Sequence, residues 1–143
     1  MDDEELGYTK RPAEAGDKRF PNLMNDAVHE VPAFRLEMRN GKWVTVSDKG
    51  AVRSASGHHI FVVAEDGTIF VSRRRSPGSH QVASHADLAG GRDVMYAGEI
   101  QFFGRTNRGG IRWWNNHSGH YMPGSEFASR TGLPMALFRP FPL

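Results

Sequence analysis

From Phe34 onward the chain reads as short strands broken by turn residues, and Phe34–Met38 alternates apolar and polar with a period of two. Phe34–Met38 and Lys42–Val46 flank Asn40-Gly41, the pair that favours a two-residue hairpin turn, so 34–46 is predicted as a hairpin. His59–Val63 and Thr68–Val71 flank Glu65-Asp66-Gly67 and predict a second. Val94–Phe103 reads as a long strand. Gly104 to Gly110 is its turn, and Ile111–Asn116 is the antiparallel return. A short helix is expected over Ser125–Thr131, with Gly132 at its C-cap and Pro134 just beyond, and a final strand over Ala136–Arg139. Between the second and third pairs, residues 73–93 form a polar loop of a length usually reserved for function. The expected fold is α+β with β predominant: antiparallel hairpins in a compact twisted sheet or sandwich, with one or two short helices.

Residues 1–22 break this pattern. They are rich in acids, Pro and Gly and poor in large apolar groups, so they are expected as a flexible or docked arm, with residues 23–143 as a single β-rich domain. Lys10-Arg11-Pro12 and Lys18-Arg19, set among acids, suit docking in an acidic cleft. Residues 22–30 are predicted as one helical turn capped by Asn22 and stopped by Pro32. The start MDDEELGYTK lacks the apolar region of a secretory signal, and no apolar run reaches the roughly 20 residues of a spanning helix.

At 143 residues, with 38% hydrophobic residues, the chain suits one modest core. The absence of cysteine removes disulfides, thiolate catalysis and Cys-ligated metal from consideration. The net charge of +2 conceals an acidic first thirty residues and a basic remainder, in which arginine dominates. Arginine forks match phosphate and carboxylate. A polyanionic ligand such as RNA or a dinucleotide is one reading, and an Arg-rich solvated surface is the other. Arg73-Arg74-Arg75 carries the same pair of readings.

The chemistry-bearing residues concentrate in 80–123. Glu99 follows the small pair Ala97-Gly98 and shares strand parity with Met95, Ala97, Gln101 and Phe103, the less apolar side, where an acid faces a cleft or pairs with an arginine. Ser118-Gly119-His120-Tyr121 lies where a strand gives way to a helix; the imidazole and phenol there either meet a ligand or tie down the loop. His85 reaches the same end of the sheet from the 73–93 loop. Glu99, His120, Tyr121 and His85 are therefore the candidate catalytic residues, expected in one pocket. Trp43, Arg105, Arg112, Asn116 and Ser118 are candidate substrate-binding positions. His117-x-x-His120 and His80-x4-His85 are weak metal patterns, and His58 and His59 must point to opposite strand faces, so no metal is expected. Leu88-Ala89-Gly90-Gly91 lacks the Lys-Ser/Thr of a P-loop.

Three runs, Ser84–Gly91, Val94–Ile100 and Asn115–Pro123, resemble the C-terminal toxin modules of bacterial polymorphic and Rhs-type secreted proteins. They are also faintly similar to type III effectors grouped with arginine-specific ADP-ribosyltransferases. The similarity covers roughly residues 40–140. It implies a toxin or effector, delivered into a target cell as part of a larger protein, with a cognate immunity protein and a macromolecular target. For the transferase it implies NAD as cofactor and Glu99 as the glutamate that orients the nicotinamide ribose. Ser84-His85-Ala86 and the single Glu99 stand where that family has Ser-Thr-Ser and Glu-x-Glu. The rival reading from the residues themselves is a metal-independent ribonuclease. Its base and acid would come from His85 or His120, Glu99 and Tyr121, and its phosphate-binding cations from Arg105, Arg108 or Arg112. A non-catalytic β-rich binding domain using Trp113-Trp114 is the third.

Overall fold

The computed structural model describes residues 19–24, 27–73 and 83–141. Seven strands form one sheet: β1 (Phe34–Arg39), β2 (Lys42–Val46), β3 (Val52–Ser54), β4 (Gly57–Val63), β5 (Ile69–Arg73), β6 (Tyr96–Phe102) and β7 (Ile111–Trp114). Their order is β3-β2-β1-β5-β4-β6-β7, and every neighbouring pair is antiparallel. The fold is thus α+β and β-predominant. Among the described residues no helix is long and apolar enough to cross a membrane.

The hairpins follow from local chemistry. Asn40 and Gly41 both take positive φ, 52° and 78°, the requirement of the turn whose twist matches its flanking strands. Strands β4 and β6 are neighbours in the half of the sheet that ends at β7, and both are buried along most of their length. The sheet curls until the turn after β6 touches β2: Trp43 N–H donates to the Gly109 carbonyl at 2.9 Å.

Register sorts the central side chains into two faces. His58, Ile60 and Val62 lie beside Gln101, Glu99 and Ala97 on one face; His59, Phe61 and Val63 lie beside Ile100, Gly98 and Tyr96 on the other. The second face is the aromatic core. Trp114 meets Phe61 and Tyr96 edge-on, and Phe20 meets Tyr96 and Phe127 in the same way. The polar tips of these rings are satisfied: Trp114 Nε1–H donates to the Pro134 carbonyl at 2.7 Å and the Tyr96 hydroxyl to the Gly124 carbonyl at 3.0 Å.

Several local expectations need correction. The 73–93 loop contains a helix, α1 (His85–Ala89), held by a capping box: Ser84 Oγ accepts from Asp87 N–H, and the Asp87 carboxylate accepts from Ser84 N–H. Residues 27–30 are not helical; Asn22 instead accepts from Met24 N–H in a local turn. The short helix expected over Ser125–Thr131 is present with those bounds and with Gly132 at its C-cap, and it is of the 3-10 type. In place of a strand over 136–139 stand a 3-10 turn, Met135–Leu137, and a single bridge from Phe138 to Trp114. Of the N-terminal arm, residues 1–18 lie outside the described residues. At residues 19 and 20 the chain is docked: Arg19 pairs with Glu65 at 3.0 Å, and Phe20 is buried and bridges Val94.

Candidate functional site

Glu99 projects from the middle of β6 on the face opposite the aromatic core, and its side chain is only 10% exposed. Its two oxygens serve different partners. Oε2 lies 2.9 Å from His58 Nε2, and Oε1 lies 3.1 Å from His117 Nδ1. Asn115, the residue after β7, ties the group together. Its Oδ1 accepts from the backbone N–H of Glu99 and of His117, and its Nδ2 donates to Glu99 Oε1 at 3.3 Å. The amide side chain thus continues the ladder for one residue beyond the strand and sets the direction in which His117 leaves the sheet.

Burial opposes charge on Glu99, but the hydrogen bonds from Asn115 and His117, with His58 close by, outweigh it and hold the carboxyl below its usual range. An ionised carboxylate only accepts. Both imidazoles therefore donate to it, His58 through Nε2–H and His117 through Nδ1–H. This leaves Nδ1 of His58 and Nε2 of His117 as the basic nitrogens in the neutral rings. The imidazoles are 35% and 44% exposed, so the carboxylate is shielded while the two rings it orients remain partly open to solvent. Phe141 stacks on the His117 ring at 4.0 Å and fixes its plane.

Beside this group opens a cavity of about 150 Å³, lined by His85, Glu99, His117, Ser118, Gly119 and His120 among others. His85, the first residue of α1, is buried and donates Nε2–H to the Gly98 carbonyl at 2.7 Å. Its burial drives its pKa down to about 4, so it forms a neutral wall of the cavity. His120 lies in the turn after Ser118, and its carbonyl accepts from Leu23 N–H at 2.7 Å, which pins that turn to the N-terminal segment. A second, larger groove is lined by Val31, Phe70 and Leu88, and its charged edge holds Glu30, Glu65, Asp66, Asp87 and Asp93 against Arg92.

The structure brings Glu99, His85 and His120 together at the cavity. Tyr121 does not join them: it is fully buried, and its hydroxyl donates to the Arg92 carbonyl at 2.6 Å, so the expected four-residue pocket contains three of the four. Asn116 is also fully buried and serves the chain itself, with Oδ1 accepting from Phe141 N–H and Nδ2 donating to the Pro123 carbonyl. Ser118 lines the cavity, while its hydroxyl accepts from Tyr121 N–H. Trp43 lies on β2 against the 104–110 turn, Arg105 is exposed in that turn, and Arg112 sits over Phe103; none of the three lines the cavity. His58, His117 and Asn115 are the members that reading by strand parity left out. Arg74, Arg75 and His80 lie outside the described residues.

Comparison with family models, curated proteins and solved structures returns no match. The chemistry of the site therefore rests on its own geometry. Among the described residues no group of three or more acids and histidines is arranged to hold a metal ion. The centre is a carboxylate with imidazoles on either side, next to a small polar cavity.

Two buried histidines make stability depend on pH. His59 is pushed down to about 4 by burial first and then by Arg73, and His85 reaches a similar value through burial. Both bind a proton less readily in the folded chain than at the ordinary value of 6.5, so unfolding takes up protons between pH 6.5 and about 4. Stability is unaffected by these groups above that window and falls as the pH drops through it. At about 1.4 kcal/mol per unit, the loss is on the order of 3 kcal/mol for each histidine. Glu99, held ionised by the fold, adds a further loss at the acid end. The urea midpoint should therefore decline from pH 7 to pH 4, and His59→Leu, which cannot titrate, should flatten the decline. A midpoint constant over that range would contradict both assignments.

Proposed function

We propose that this chain is a toxin or effector module that cleaves RNA by metal-independent acid–base catalysis at the Glu99 centre. The observation that carries the reading is the shielded Glu99 carboxylate, which orients two partly exposed imidazoles beside a cavity that a third imidazole, His120, also lines. RNA cleavage needs a base for the 2′-hydroxyl and an acid for the leaving 5′-oxygen. His117, with Nδ1–H held by Glu99, takes the 2′-hydroxyl proton at Nε2. The 2′-oxygen attacks phosphorus, the P–O5′ bond breaks, and protonated His120 gives its proton to the departing oxygen. Glu99 stabilises the imidazolium that forms on His117, as the buried aspartate does in a Ser-His-Asp triad. The products are a 2′,3′-cyclic phosphate and a 5′-hydroxyl. On this reading the protein acts in the cytoplasm of a target cell, and an immunity protein protects the producer by covering the cavity.

ADP-ribosyl transfer with NAD is the second reading, favoured by an ionised glutamate in mid-strand at a cavity wall. Size weighs against it: about 150 Å³ lies well below the 300–1,000 Å³ of pockets that enclose a drug-sized ligand, whereas a polynucleotide need present only one phosphate. The deciding experiment incubates the full chain with end-labelled single-stranded RNA in EDTA, and separately with radiolabelled NAD and a cell extract. RNA fragments ending in cyclic phosphate, with DNA of the same sequence left intact, support the ribonuclease. Label transferred from NAD with RNA intact overturns it in favour of the second reading, and neither result removes both.

A further inference from the structure

The residue beside the site that neither core packing nor the acid–base step uses is Trp113. Its neighbour Trp114 is fully buried and hydrogen-bonded; Trp113 is its partly exposed counterpart on the opposite face of the same edge strand. Pairing with Gln101, and through it with His58, sets Trp113 on the face that carries Glu99. The His58 ring lies 5.9 Å from it, and His58 Nε2 is 2.9 Å from the carboxylate. The exposed Arg139 places its guanidinium over the indole, 5.6 Å from its centre. The backbone holds it there: Arg139 N–H donates to the Trp114 carbonyl at 2.8 Å, and Phe141 N–H, two residues on, donates to Asn116. A partly exposed aromatic plane with an arginine over it, one side chain (His58) away from the Glu99 carboxylate, has the composition of a stacking platform for single-stranded nucleic acid.

We propose that Trp113 is the nucleobase subsite of the Glu99 centre, with the Arg139 guanidinium lifting from the indole to cover the far face of the bound base. It stacks the base of a nucleotide whose phosphate lies at the imidazoles, and it does so without selecting a particular base, because every base has a π-face. The inference rests on the ribonuclease reading and makes the substrate specific: unpaired RNA, since a base in a duplex has no free face to offer.

The test measures binding of two probes to the full chain by fluorescence anisotropy. One is a 2′-O-methyl oligonucleotide, which cannot be cleaved; the other is the same backbone with abasic positions. Stacking contributes about 1–3 kcal/mol per base, so Trp113→Ala should weaken binding of the first probe by roughly 5- to 150-fold. It should leave the abasic probe within about twofold, and Trp113→Phe should restore most of the affinity. Arg139→Ala should weaken both probes, the base-bearing one more. Equal losses for both probes with Trp113→Ala, or no loss, would overturn the subsite while wild-type RNA cleavage still stands. Failure of the wild-type chain to bind either probe would overturn the RNA reading together with the subsite.

Discussion

Glu99→Gln should lower kcat/KM for RNA by about 10²- to 10⁴-fold, the range expected for loss of oriented acid–base catalysis, while the melting temperature moves by only a few degrees. The amide has the shape of the carboxylate but offers one acceptor and one donor. Asn115 Nδ2 already donates to Oε1, so the glutamine oxygen must occupy that position and the new NH₂ group must face His58. Two consequences follow. His58 has to move its proton to Nδ1 or meet a donor with a donor, and the imidazolium formed on His117 loses the negative charge that supports it. Stability changes little because removing the charge also removes its desolvation cost, which offsets part of the hydrogen-bond stabilisation that is lost. The measurement pairs steady-state kinetics with a thermal melt. A variant within tenfold of wild type would mean that the carboxylate does not orient the catalytic histidines.

The parts of the fold visible in sequence are the alternating or largely apolar runs bounded by turn residues. The 34–46 and 59–71 hairpins and the β6–β7 pair are half-buried or fully buried strands with turn residues between them, and all three are present. β3 escaped because its three residues are all exposed and carry no alternation. α1 escaped because five residues are too few for a helical period, although Ser84-x-x-Asp87 is a capping signal within the polar loop. At the site, Glu99, His85 and His120 were legible from strand parity and from the return of the chain after β7. His58 was not, because its position beside Glu99 depends on the β4–β6 register, which joins residues 41 apart in sequence. His117 and Asn115 stand among the chemistry-bearing residues of 80–123, but their place at Glu99 was hidden for a related reason. The Asn115 side chain behaves as backbone, and strand periodicity contains nothing that marks an amide as an extension of the ladder. Tyr121 and Asn116 illustrate the converse: each adjoins a cavity histidine in sequence, but the turn points its side chain inward.

Gly98→Ala should lower the melting temperature by on the order of 10 °C or more and remove activity with it. A Cβ on Gly98 would lie 1.8 Å from the Asn115 carbonyl oxygen, 2.7 Å from its carbon and 3.0 Å from the buried Phe61 ring. The first two are backbone atoms of the neighbouring segment, so no rotamer change relieves the contact. The chain after β7 would have to move away, yet it is fixed by Asn115 N–H donating to the Glu99 carbonyl at 2.9 Å and by Glu99 N–H donating to Asn115 Oδ1. On the other side, the Gly98 carbonyl accepts from His85, so a shift of β6 pulls on α1 as well. Overpacking of a rigid interior commonly costs 1–3 kcal/mol, and a clash with backbone belongs at or beyond the upper end. For a chain of this length each kcal/mol corresponds to roughly 3–5 °C. Gly104→Ala is the matched control: its Cβ meets nothing within 4 Å, so the melt should stay within about 2 °C of wild type. If Gly98→Ala melted with that control, β6 and the Asn115 segment would not approach each other this closely. The carboxylate–amide–imidazole arrangement built on that approach would then fall with it.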